Sequence, residues 1–138
     1  ASIHRAEWYF LDTALDKTED GGLVALIVPN GVMDNPSARD MRTRMMAKAQ
    51  FITAFRLPTA AFADSHTTVT TDIVFLRKRP QAIASALAAL TPMQQAMLPH
   101  WREDVAAGTY MTDGPGAANI MGAMEPGWRA KAFGEEHN

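Results

Sequence analysis

The chain has 138 residues, of which 47% are hydrophobic and 20% charged, with a formal net charge of −2 at pH 7. Such values fit one globular domain and exclude a disordered chain. With no cysteine in the sequence, a disulfide framework, a thiolate zinc site and a cysteine nucleophile are excluded, and no apolar run approaches the roughly 20 residues of a membrane span.

Residues 4–18 carry Trp8, Leu11, Ala14 and Leu15 on one stripe at helical spacing, which predicts an amphipathic helix. Gly21-Gly22 ends it, because glycine accepts the left-handed conformation at a helix C-terminus. Residues 23–28 are six apolar residues in a row, which predicts a strand covered on both faces in a parallel sheet. Pro29-Asn30-Gly31 then opens a loop at the carboxyl end of that strand, where α/β sheets place their ligands. The alternative is a turn that needs only backbone freedom.

Asp34-Asn35-Pro36-Ser37 reads as a helix start. The helix runs to about Lys48, with Ala38, Met41, Met45 and Ala49 inward and Arg39, Arg42, Arg44 and Lys48 toward solvent. Asp40 and Arg44 are spaced to pair. Residues 51–57 predict a second strand that Pro58 stops. Residues 59–68 form a loop anchored by Phe62, and residues 69–77 predict a third strand. Residues 81–90 favour helix, and Thr91-Pro92 starts a further helical piece. From Gly108 on, six glycines and two prolines argue for short, irregular structure. The order predicts an α/β sheet with the first two strands paired in parallel and a final strand antiparallel to the second. Met41, Met45, Met46, Trp8, Phe10, Phe51 and Phe55 are expected in or near the core. Trp101 and Trp128 either dock the tail on the sheet or face a missing domain.

Charge is uneven along the chain. Residues 36–80 hold eight basic side chains (Arg39, Arg42, Arg44, Lys48, Arg56, Arg77, Lys78, Arg79) against three acidic ones. This basic third could follow a DNA backbone or be a solvated helix face. Ser65, His66, Thr67 and Thr68 suit phosphate contacts or a plain polar loop. Asp72, at the start of a strong strand, can bond to nearby backbone. The histidines His4, His66, His100 and His137 lack metal-ligand spacing. Ser65 lacks the flanking glycines of a hydrolase nucleophile.

An ordered set of segments carries a resemblance: Gly21-Gly22, the apolar strand, Pro29-Asn30-Gly31-Val32, the basic helix, FITAFRLPTAAF at 51–62 and TTDIVFLRKR at 70–79. Together they resemble the second half of the catalytic domain of N6-adenine DNA methyltransferases. The similarity extends to modification subunits of type I restriction systems and to phage or plasmid proteins that fuse such a methylase to a helicase. It covers about residues 5–80, with a weaker echo at Asn119-Ile120-Met121-Gly122.

The resemblance implies a partial Rossmann-like methyltransferase sheet, parallel strands plus a final antiparallel one, over residues 1–80. A helical and then loop-rich extension follows over 81–138. It implies a parent that transfers a methyl group from S-adenosylmethionine to adenine in DNA, the base being flipped out for reaction, and it offers a place near that base as the alternative role for Asp72. The family's glycine-rich cofactor loop and its Asn/Asp-Pro-Pro-aromatic motif are absent; Asn35-Pro36-Ser37 is misplaced and lacks the second proline. No catalytic, cofactor-binding or metal residue is therefore assigned, and the chain alone is expected to be inactive and not to bind the cofactor. A DNA-facing rim is expected at Pro29, Asn30, Gly31, Arg39, Arg42, His66, Thr67 and Thr68. Ala1 in place of a starting Met suggests an excised piece or a processed chain, and the resemblance implies the missing half of the domain as partner. No leader is visible, and a cytoplasmic location is expected. A truncated sheet should self-associate along the exposed side of strand 23–28. The alternatives are a non-catalytic nucleic-acid or protein-interaction module and an α/β enzyme completed by dimerisation.

Overall fold

A computed structural model describes residues 5–57 and 70–121. Helix α1 spans Arg5–Asp16 and leads through Gly21, at φ 80°, into strand β1, Leu23–Pro29. The short helix α2, Asn30–Asp34, follows without a loop. A 3-10 turn, Pro36–Ala38, then opens helix α3, Arg39–Lys48. The Asn35 side chain accepts a hydrogen bond from the Ser37 N–H, so the expected start signal operates, with the proline where a missing N–H costs nothing.

Strand β2 is Ala49–Leu57 and strand β3 is Thr71–Lys78. Four short elements complete the described chain: α4 (Gln81–Ala88), α5 (Pro92–Gln95), α6 (Glu103–Ala107) and a 3-10 turn at Pro115–Asn119. Among the described residues no helix is long and apolar enough to cross a membrane.

The sheet order is β1-β3-β2, and β3 is antiparallel to both neighbours. The antiparallel pairing of β2 with β3 is as expected. The parallel pairing of β1 with β2 is not found. These two strands run in the same direction, but β3 lies between them. The reason is in the side chains of β3. Val74 and Leu76 are fully buried on one face, while Ile73 and Phe75 are half-buried on the other. A strand apolar on both sides gains most from a central position.

The sheet has one closed face. Leu26 and Val28 of β1, Val74 and Leu76 of β3, and Phe51 and Ala54 of β2 form a core with Leu11 and Leu15 of α1 and Met41, Met45 and Met46 of α3. Burial of each large apolar side chain contributes about 1.5–3 kcal/mol. Among the described residues the opposite face is open: Leu23 is 63% exposed and Ile27 57% exposed. The described residues therefore cover β1 on one side only, where the sequence predicts cover on both. Phe10, expected in the core, is 58% exposed on the same flank. Phe55 is half-buried and meets Phe75 edge to face at 5.9 Å.

The tail closes the other flank. Tyr110 packs edge to face on Phe51 at 4.7 Å. The Asn119 amide donates to Thr53 Oγ1 and to the Ala54 carbonyl, both at 3.1 Å. Ile120 then bridges Arg56 in parallel, with the Met121 N–H on the Arg56 carbonyl at 2.8 Å. Trp101 packs against the core, which decides its open alternative in favour of docking; Trp128 lies outside the described residues.

Candidate functional site

The strand register brings Pro29, Thr71 and Leu57 to one end of the sheet. The Asn30 N–H donates to the Thr70 carbonyl at 2.9 Å, which ties the start of α2 to the start of β3. Pro29, Asn30 and Gly31 are half-buried, and Val32 and Met33 anchor α2 in the core. The Pro-Asn-Gly segment is thus the first turn of a helix and not the expected open loop.

Under this strand end lies a buried charge network. Arg56 and Asp72 are opposite each other on β2 and β3. They make a bidentate pair, Nε to Oδ1 at 2.6 Å and Nη2 to Oδ2 at 2.8 Å, with both side chains fully buried. Arg56 Nη1 also pairs with Asp34 Oδ2 at 2.7 Å, where the Asp34 side chain is 10% exposed. Burial works against the Arg56 charge, but the two carboxylates outweigh it and hold its pKa above the ordinary value. Burial pushes the Asp72 carboxyl up, against the opposing pull of Arg56. Asp72 therefore spends its side chain on Arg56.

Arg42 belongs to the same region. It is fully buried. Its Nη1 donates to the Val32 carbonyl at 2.8 Å and its Nε to the Ala106 carbonyl at 3.2 Å, so one side chain fastens α2 and α6 to α3. Burial lowers its pKa to about 10, with the charge of Asp34 opposing. Gly108 makes room for it. That residue ends α6 at φ 84°, and a Cβ there would lie 2.9 Å from Arg42 Nη2.

The four cations of α3 do not form a common face. Arg42 is buried, which corrects the expectation that it points to solvent. Arg39 is exposed but makes a bidentate pair with Glu103 at 3.0 and 3.1 Å. The Glu103 carboxylate raises the pKa of Arg39, and Arg39 in turn holds Glu103 below the usual carboxylate range. Lys48 pairs with Asp12 and, at 2.9 Å, with Asp16. The expected Asp40–Arg44 pair is not formed, and Arg44 is exposed without an ion pair among the described residues. Ser65, His66, Thr67, Thr68 and Phe62 lie outside the described residues.

The structure brings together Pro29, Asn30, Gly31 and the Asp34–Arg56–Asp72 network. Arg39 stands apart on the surface with Glu103. The part missed from the sequence is Arg56 with Asp34. A signal existed: Arg56 alternates with inward Ala54, and Asp72 with inward Val74, so two opposite charges share the core face of adjacent strands. A register irregularity between Phe51 and Thr53 hides that alternation.

Among the described residues no group of three or more His, Cys, Asp or Glu side chains could hold a metal ion. The profile of the N-6 DNA methylase family matches residues 1–94. The chain is also 35% identical over 79 residues to "Defense against restriction protein B" of Escherichia phage P1. That stretch is 57% of this chain and 4% of the phage protein, so the chain spans a small part of this relative. With the profile match covering most of its length, the chain belongs to the N-6 DNA methylase family.

Proposed function

We propose that this chain is the later part of the catalytic domain of an adenine-specific DNA methyltransferase, and that it completes the sheet and shapes the DNA-facing rim. The observation that carries this reading is an unfinished strand-helix-strand unit. The first half of α1 (Ala6, Glu7, Phe10) and the carboxyl end of β1 (Ile27, Val28, Pro29) line one groove of about 340 Å³. The last turn of α1 lies at the other end, where the Leu15 carbonyl accepts from Lys78 Nζ at 2.8 Å. Helix α1 therefore runs opposite to β1. A chain entering such a helix from a strand makes a right-handed crossover and leaves that strand parallel to β1. β3 occupies one edge of β1, so the incoming strand belongs on the open edge. The sheet would then gain its Rossmann-like parallel part.

S-adenosylmethionine would supply the methyl group in the parent. The described residues do not fit it. The turn after β1 has no free amide at Asn30, whose N–H is spent on Thr70, and no glycine-rich run follows a described strand. No step through the cofactor is derived for this chain. Its own residues hold the strand end rigid: Asp34, Arg56 and Asp72 tie α2 to β2 and β3, and thereby fix Pro29, Asn30 and Gly31. These three, with His66, Thr67 and Thr68, are proposed as the rim toward DNA, where they would position the backbone and not the reacting base; Arg39 stands apart from them, paired with Glu103.

The test is methyl transfer from labelled S-adenosylmethionine to DNA. The gene product that contains this chain together with a glycine-rich loop and an Asn/Asp-Pro-Pro-aromatic motif is expected to label adenine. The 138-residue chain alone is expected to label nothing. Transfer by the isolated chain, or none by the longer product, would overturn the proposal.

A further inference from the structure

We propose that the outer edge of β1, with the face of α1 beside it, docks a second copy of this chain in an antiparallel two-fold pair. Phe10 of α1 lies on the core side of the sheet, and Ile27 of β1 alternates with the inward Leu26 and Val28, yet the two line one groove. A groove reached from both faces lies at the outer edge of β1, because β3 occupies the inner one. Its sequence, LVALIVP, has no charge, its register with β3 has no bulge, and its proline stands at the end. None of the usual guards of a strand edge is therefore present within it.

The helix beside this edge is complementary to itself. Glu7, Phe10, Ala14 and Lys17 stand at i, i+3, i+7 and i+10, which is one stripe of α1. Glu7 and Phe10 line the groove, and Phe10 is 58% exposed. Lys17 is exposed and continues the helical turn, its N–H on the Thr13 carbonyl at 3.1 Å. Neither Glu7 nor Lys17 has an ion pair among the described residues. Laid antiparallel on its own copy, the stripe sets Glu7 against Lys17 and Phe10 against Ala14, acid on base and large on small, each twice. A parallel arrangement would set like charge on like.

The strand demands the same axis. In the helix stripe the two-fold passes beside Asp12, midway between Glu7 and Lys17. From Glu7 to that point α1 rises about 7.5 Å, the length of about two strand residues. Helix α1 runs opposite to β1, and Glu7 shares the groove with Val28, so the axis crosses β1 at Leu26, its central residue. Pairing β1 with itself about Leu26 puts Ile27 beside Ala25 of the second copy, again large on small. Both elements thus ask for one symmetry operation, which a second copy supplies and a strand of unrelated sequence does not. The sheet becomes continuous across the axis. An incoming strand in a longer gene product would fill this edge instead, so the pair belongs to the chain on its own and is tested apart from methyl transfer.

Sedimentation equilibrium of the 138-residue chain over a range of concentrations tests this. A monomer–dimer equilibrium that stops at two copies is expected. Glu7→Lys and Lys17→Glu, each placing like charges together twice, are expected to raise the dimer dissociation constant about tenfold or more. The double variant exchanges the two charges and is expected to return it to within about threefold of the parent. That recovery also shows that neither change acts by unfolding the chain. A chain that stays monomeric, or oligomers that keep growing past two as a heterologous contact would, would overturn the proposal. So would a single reversal that leaves the constant unchanged, or a double variant as weak as the single ones.

Discussion

The two edges of the sheet are treated in opposite ways. At β2 the chain returns and seals its own edge, with Asn119 bonded to Thr53 and Ala54, and Ile120 and Met121 set against Arg56. At β1 no described residue pairs with the outer edge, and Leu23 and Ile27 are exposed beside it. Natural proteins rarely leave a flat apolar edge bare without a charge, a bulge or a cover. The difference teaches that the described residues finish the β2 side themselves, whereas they leave the β1 side uncovered. Substitutions on the two sides should therefore behave differently.

The largest effect is expected at the charge network behind the sealed edge. Arg56→Met leaves Asp34 and Asp72 buried together without their cation, and should cost about 3–5 kcal/mol in urea unfolding. Asp72→Asn should cost less, because the amide retains the shape and Asp34 still faces Arg56. A cost below about 1 kcal/mol for Arg56→Met would mean that the network does not hold the strand end. Next is Asn119→Ala, which removes two hydrogen bonds from the β2 edge and should cost about 1–2 kcal/mol. Its amide exchange signature is specific: the Met121 N–H, bonded to Arg56 O, should lose protection before any β1 amide on the β3 side does.

Much of this asymmetry could be read from the residues, and the rest had physical reasons to stay hidden. The strands were legible as short apolar, β-branched and aromatic runs, and α1 by its apolar stripe at a 3.6-residue period. Strand order was not, since a period-2 pattern tells which face a side chain takes and not which strand is its neighbour. Helix α3 misled for a different reason. Met41, Arg42, Thr43, Met45, Met46 and Ala47 are all buried, so the helix is covered from several sides and has no single apolar stripe. Within it an arginine reads as surface, although Arg42 satisfies two carbonyls in the interior. At the strand end, Pro29-Asn30-Gly31 was legible as a position, but its helical conformation and the supporting role of Arg56 were not. Arg56 sits within a strand pattern where a charge is ordinarily assigned to solvent.

The β1 side should respond in association and not in folding. The isolated chain is expected to self-associate through its open flank, measured by light scattering against concentration. Ile27→Lys places a charge on that flank and should shift the population toward monomer. Its unfolding free energy should stay within about 0.5 kcal/mol of the parent, because the side chain is already in water. Monodisperse monomer at high concentration for the unmodified chain would break the contrast between the two edges.

The smallest effect concerns what holds the tail on the sealed side. Arg39 and Glu103 join α3 to α6, and both are well exposed, at 47% and 61% of their side chains. Hydrogen bonds from Arg39 and Trp101 hold the Glu103 carboxyl below its usual range. The unfolded chain therefore takes up this proton more readily, and the pair stabilises the fold in full only above the ordinary carboxylate pKa. That contribution should fade as pH falls through the depressed value, and exposure limits it to less than about 1 kcal/mol. The comparison is between the parent and Glu103→Gln: a small stability gap at pH 7 that closes in acid and shrinks in high salt. A gap that persists in acid would assign the docking of α6 to something other than this charge. The remaining attachment is apolar through Val105, Ala106, Tyr110 and Met111 and hydrogen-bonded through Arg42 and Asn119, and it should keep the β2 edge sealed at both pH values.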